Sequence, residues 1–125
     1  MAILTNGYGT GLSVKQKQAN SIVLKPLLLA EATAAADDTT PSVANINVLK
    51  IPANTTGTTI TQLDDAIAGQ VVIIIGTSAS NSSQISDGGN FKLVGSSAFT
   101  AGVDDSITLY TSNGTTWIEL SRSVN

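Results

Sequence analysis

The chain has 125 residues, a formal net charge of −3, and neither cysteine nor histidine. A single domain fits that length, and the missing residue types exclude disulfides, thiolate nucleophiles, imidazole bases and most zinc or copper sites. Only 12% of the residues are charged, while 16 Thr and 14 Ser give a hydroxyl-rich, β-prone surface; ordinary domains carry about 25% charged residues.

The charge is unevenly placed. Residues 1–30 hold Lys15, Lys17 and Lys25 and no acid, residues 31–42 hold Glu31, Asp37 and Asp38 and no base, and the remainder is acidic. A basic front end on an acidic body points to an acidic contact for that front end. Three lysines do not make a nucleic-acid surface, so no nucleic-acid partner is expected. Met1–Gly7 lacks the basic and apolar regions of a secretory signal. No run approaches the roughly 20 apolar residues of a membrane span, and no membrane partner is expected.

The first stretch alternates Gly7, Gly9 and Gly11 without the GxGxxG spacing or the preceding strand of a dinucleotide loop. It reads as an extended arm with Ile3, Leu4 and Tyr8 as apolar anchors, continuing through Leu12, Val14, Lys15 and Lys17. Ser21–Leu24 is strand-like and Pro26 closes it. Leu27-Leu28-Leu29 is strongly apolar, and Ala30–Ala36 has the propensity for a helical turn. Asp37–Ser42 breaks regular structure, so the division is an N-terminal arm over 1–42 and a body over 43–125.

In the body, Ile46–Ile51 alternates as a strand ended by Pro52, and Asn54–Thr59 reads as a polar loop. Thr61–Gly69 can form one or two helical turns, with Thr61 as cap, Leu63 and Ile67 on one face and Gly69 as the stop. Val71–Ile75 is five β-branched residues in a row, which resist helix and suit a buried strand. Val71, Ile73 and Ile75 share one face and Val72 and Ile74 the other. Both faces need cover, which a small chain supplies with difficulty, so a partner subunit is expected.

Residues 76–90 read as turns, and Phe91–Val94 as the next strand. Asn113-Gly114 predicts a two-residue type I′ hairpin pairing Tyr110 with Trp117, Thr108 with Glu119, Leu109 with Ile118 and Ile107 with Leu120. The residues expected to pack the core or a subunit interface are Val71, Ile73, Ile75, Phe91, Leu93, Leu109, Tyr110, Trp117 and Ile118. The acid pairs Asp37-Asp38, Asp64-Asp65 and Asp104-Asp105 sit in turn or helix-start sequence and read as loop and capping groups. Asp87–Asn90 lacks the spaced oxygens of a calcium loop. No catalytic residue, metal or cofactor is assigned, and no enzyme activity is expected. The fold expected is all-β, a small β-sandwich or barrel-like body with an extended N-terminal arm.

Residues from about 60 to 122 resemble a module of tailed-phage virion proteins. The resemblance is carried by Gly69-Gln70 before an apolar strand, Ile85-Ser86-Asp87, Gly89-Asn90-Phe91-Lys92-Leu93, Asp105–Tyr110 and the closing Trp117-x-Glu119-x-Ser121-Arg122-Ser123. It implies a β-rich homotrimer of the kind found in tail fibres, head fibres and capsid cement (decoration) proteins. With one short arm, no repeat and an initial Met, the chain is expected to be a cement protein without a fibre shaft. It would sit on the outer capsid surface of the virion, bind the major capsid protein through residues 1–42, and bridge neighbouring capsomers. The alternative is a fibre-tip module that binds a host-cell receptor, such as a surface glycan.

Overall fold

The computed structural model describes residues 27–125. The expected arm anchors Ile3, Leu4, Tyr8, Leu12, Val14, Lys15 and Lys17, and the expected strand over 21–24, lie outside the described residues. Nine strands are present among those described: β1 Glu31–Thr33, β2 Val48–Ile51, β3 Thr58–Ile60, β4 Val71–Gly76, β5 Ser83–Ile85, β6 Phe91–Lys92, β7 Phe99–Thr100, β8 Ser106–Thr111 and β9 Trp117–Ser123. They form a six-stranded sheet in the order β1-β2-β4-β8-β9-β6 and a three-stranded sheet in the order β3-β5-β7. The fold is all-β, as the patterning predicts.

The β-branched run forms β4 at the middle of the larger sheet. It pairs in parallel with β2 and antiparallel with β8. Val72 and Ile74 point into the core with Leu49, Ile51, Ile107, Leu109, Phe91 and Trp117. The smaller sheet contributes Ile60, Ile85 and Phe99, and Val43 and Leu63 are fully buried with them. Val71, Ile73 and Ile75 face outward and are exposed or half-buried. The glycine ending β4 is needed for packing: a Cβ at Gly76 would overlap the carbonyl oxygens of Ala101 and Gly102.

Several local expectations are corrected. The alanine-rich stretch forms β1, not a helical turn. β1 pairs in parallel with β2, and Lys50 and Glu31 join across that pairing at 2.9 Å. Helix propensity is a weak preference that such pairing overrides. Thr61–Gly69 makes turns and a bridge from Asp64 to Ser42. Asp65 takes φ 61°, incompatible with a right-handed helix, so Leu63 is buried while Ile67 stands in solvent. The supposed loop at Asn54–Thr59 contains the start of β3, and the turn-rich 76–90 contains β5. Phe91–Val94 is a strand for two residues only, then turns through a short 3-10 segment at Val94–Ser96.

The last hairpin is real, but its register and turn differ from expectation. Thr111 pairs with Trp117, Tyr110 with Ile118 and Leu109 with Glu119; after a bulge, Thr108 pairs with Ser121 and Ile107 with Arg122. The loop spans Ser112–Thr116, and positive φ is confined to Gly114 at 81°; a type I′ turn needs it at both central residues. Asn113 Oδ1 instead accepts the N–H groups of Thr115 and Thr116, while Gly114 N–H donates to Thr111 Oγ1. The longer loop shifts the pairing by one residue, which exchanges the faces of β9. Trp117 and Glu119 therefore point inward and Ile118 outward.

Candidate functional site

The closing strand is where sequence pattern and geometry meet most closely. Two residues separated by three in a regular strand lie on opposite faces. The bulge between Thr108 and Leu109 leaves Leu120 without a partner on β8, and this extra residue returns Arg122 to the same face as Glu119. The Glu119 side chain is buried, and its Oε1 and Oε2 accept Arg122 Nε and Nη2, both at 2.6 Å. Val94 N–H also donates to Oε2 at 2.9 Å. The same guanidinium donates to the carbonyls of Ala98 and Ser97, and it lies 5.7 Å from the centre of the Phe99 ring. One fork thus ties β9 to the 3-10 segment and to β7, joining the two sheets. Hydrogen bonds from Arg122 hold the Glu119 carboxyl below the ordinary glutamate range even though burial opposes them. The pair also raises Arg122. This is a fastening, with its charges already satisfied by one another.

A second polar centre fastens the loops beside β3 and β5. Asn54 is buried; its Oδ1 accepts Asp37 N–H, and its Nδ2 donates to Asn81 O and Ser83 Oγ. Asp37 holds Thr55 through both hydroxyl and N–H and reaches Thr58. The Thr55 hydroxyl, then its N–H, lowers the Asp37 pKa. The other carboxylates also serve loops: Asp38 accepts Thr40 N–H, Asp65 accepts the Ser42 hydroxyl, Asp87 accepts Leu93 N–H, and Asp105 accepts Asn125 N–H. Among the described residues, no three acidic side chains converge as a metal-binding group.

The expected packing residues divide between two faces. Phe91, Leu93, Leu109 and Trp117 are core residues. Val71, Ile73, Ile75, Tyr110 and Ile118 lie on the outer face of the six-stranded sheet. Pattern alone missed Val72, Ile74 and the Glu119–Arg122 fork as the fastened interior. The Trp117 indole N–H is buried with no hydrogen-bond partner among the described residues. At the end of the sheet where β2 and β4 begin, an open cleft of about 410 Å3 is lined by Ala44–Asn47, Asp65, Ile67 and Gln70. Gln70 supports its floor by donating to the carbonyls of Val43 and Ile46 and accepting Ile67 N–H.

The family model for the phage depolymerase C-terminal beta sandwich domain matches residues 27–118. The chain belongs to that family. The matched span starts just before β1 and ends on the second residue of β9, so it takes in both sheets. The closing residues Glu119–Ser123 lie beyond it. No curated protein and no solved structure matches the chain. Membership makes this β-sandwich a phage virion module, which agrees with the coarse reading of the sequence.

Proposed function

We propose that the chain is a non-catalytic structural module of a phage tail fibre or spike, working as a homotrimer and contacting the host-cell surface, including its glycans. The observation that carries this reading is the family match over 27–118, which spans nearly the whole described sandwich and belongs to a family named for the C-terminal domain of a depolymerase. Three copies on one axis give multivalent contact, so weak individual contacts sum to strong attachment. The test is a density map of virions combined with gold-labelled antibody against this chain. Label at the tail supports the reading; label on the capsid alone overturns it.

The composition of residues 1–30 favours a second reading, capsid cement. Lys15, Lys17 and Lys25 stand there with no acid, beside the apolar Ile3, Leu4 and Tyr8. In this reading the arm binds the major capsid protein at the outer capsid surface, and the trimer bridges capsomers. Stoichiometric binding of the purified protein to expanded empty shells, lost on deleting residues 1–20, is its expected signature. Decoration by the truncated protein at unchanged affinity would move the contact to the sandwich.

A further inference from the structure

β1, β2, β4 and β9 run in the same direction, because β1, β2 and β4 pair in parallel and β9 returns antiparallel from β8. Their starting ends therefore lie together. Leu27, Leu28 and Leu29 lead into β1, Ile67 leads into β4, Val71 opens β4, and Ile118 stands near the start of β9. Leu27 and Leu28 are 86% and 83% exposed, Ile67 is 71% and Ile118 is 45%. Val71, Tyr110 and Ile118 are cross-strand neighbours, forming one outward row.

The two features left uncovered by the described residues differ in shape. The leucines form a projecting tract outside any strand, and the row is part of a flat sheet face. Ala30 O accepts both Asn47 N–H and Val48 N–H, which anchors the tract at the β2 edge, two strands from the β8 face. A two-fold contact of face on face would leave the tract in water. A head-to-tail contact, tract on face, covers both with a single kind of partner, another copy of this chain, and closes into a ring of three when the rotation between copies is a third of a turn. Charge agrees with this arrangement. Asp64 and Asp65 are exposed beside the cleft, and Lys92, level with Ile118, is exposed at the opposite edge of the sheet. The ion pairs among the described residues involve none of the three. The two acids and the lysine are complementary charges available to a contact between copies.

We infer that this end of the sandwich is the self-association surface: the Leu27–Leu29 tract of one protomer seats on the Val71–Tyr110–Ile118 row of the next, in a closed head-to-tail trimer. The inference rests on the homotrimer proposed above, and names its contact. An acidic residue placed in either patch leaves an unpaired charge at a contact that excludes water.

Sedimentation velocity of the full chain at low micromolar concentration tests it, with Leu28→Asp in the tract, Ile118→Asp in the row, and Val103→Asp as a control at the opposite end of the sheet. Wild type and Val103→Asp are expected to run as trimers. Leu28→Asp and Ile118→Asp are expected to run as monomers, with association at least about 100-fold weaker and unchanged far-ultraviolet circular dichroism. Leu28 lies outside the core, so loss of the trimer in that variant is not loss of the fold. A wild-type trimer that persists in either patch variant overturns the head-to-tail contact and leaves the trimer reading standing. A wild-type monomer removes both.

Discussion

Replacing Glu119 with glutamine tests the fork that joins the two sheets. The substitution keeps the volume and removes the charge. Glu119 Oε1 receives Arg122 Nε, whereas Oε2 receives both Arg122 Nη2 and Val94 N–H. The glutamine oxygen will therefore occupy the Oε2 position, and its amide nitrogen will face Arg122 Nε, donor against donor. One charge-assisted hydrogen bond is lost, at about 1.5–3 kcal/mol, and a largely buried guanidinium loses its counter-charge. Partial solvation of Arg122 keeps the total below the 3–5 kcal/mol of a fully buried broken pair, so about 2–3 kcal/mol is expected. For a sandwich of this size each kcal/mol moves Tm by about 4–8 °C, which puts the fall at about 10 °C or more at pH 7. The effect must also depend on pH. The folded-state pKa of Glu119 is depressed, so its contribution is complete above the unfolded value, near 4.3, and is lost as pH falls through the folded value. The gap between thermal melts of wild type and Glu119→Gln should therefore be largest at pH 7 and narrow as pH falls below the unfolded value toward pH 3. A gap that stays constant across that range, or no gap at pH 7, would refute the assigned role.

Asn54→Ala removes a buried amide that makes three hydrogen bonds to Asp37, Asn81 and Ser83; urea unfolding should show a loss of about 2–4 kcal/mol, since buried groups are left unpaired. Gly114→Val places a β-branched residue at φ 81°, with its Cβ about 3.0 Å from Ala66 O. It should cost about 1–3 kcal/mol, and an unchanged midpoint would mean the turn can adopt another conformation. Ile74→Asp should abolish folding because Ile74 is in the core, whereas Ile73→Asp, on the outer face, should retain the native Trp117 emission.

How far the sequence discloses the fold depends on how strong each local signal is. β4 is legible because five β-branched residues stand between turn-forming neighbours, and no other element competes for them. β1, β3 and β5 are three residues each and built from Ala, Glu, Thr, Ser and Gln as much as from Ile; their pairing is decided by distant strands, not local propensity. The hairpin at Gly114 is legible as a turn, but its register is not. The Asn113 side chain captures two following N–H groups and lengthens the loop by three residues. The fork was hidden for a related reason. Glu119 and Arg122 look divergent until the bulge is known, and the bulge leaves no mark in the composition. The outer face of β4 was legible only as an ambiguity: alternation separates Val71, Ile73 and Ile75 from Val72 and Ile74 without saying which set faces in.

The common direction of β1 and β9 has a mechanical consequence. The chain enters the larger sheet at Glu31, level with Ile73, and leaves it after Ser123, level with Ile75, with β1 and β9 running in the same direction. Tension applied between Leu27 and Asn125 would act along the strands, across hydrogen bonds that are perpendicular to them in the antiparallel β8–β9 pair and slanted in the parallel β1–β2 pair. The β1–β2 and β8–β9 ladders are then loaded in shear, so their bonds must yield together rather than open one at a time like a zip. Resistance to pulling is governed by the unfolding rate rather than by equilibrium stability. A sandwich held at these two ends is suited to bearing load along its strands.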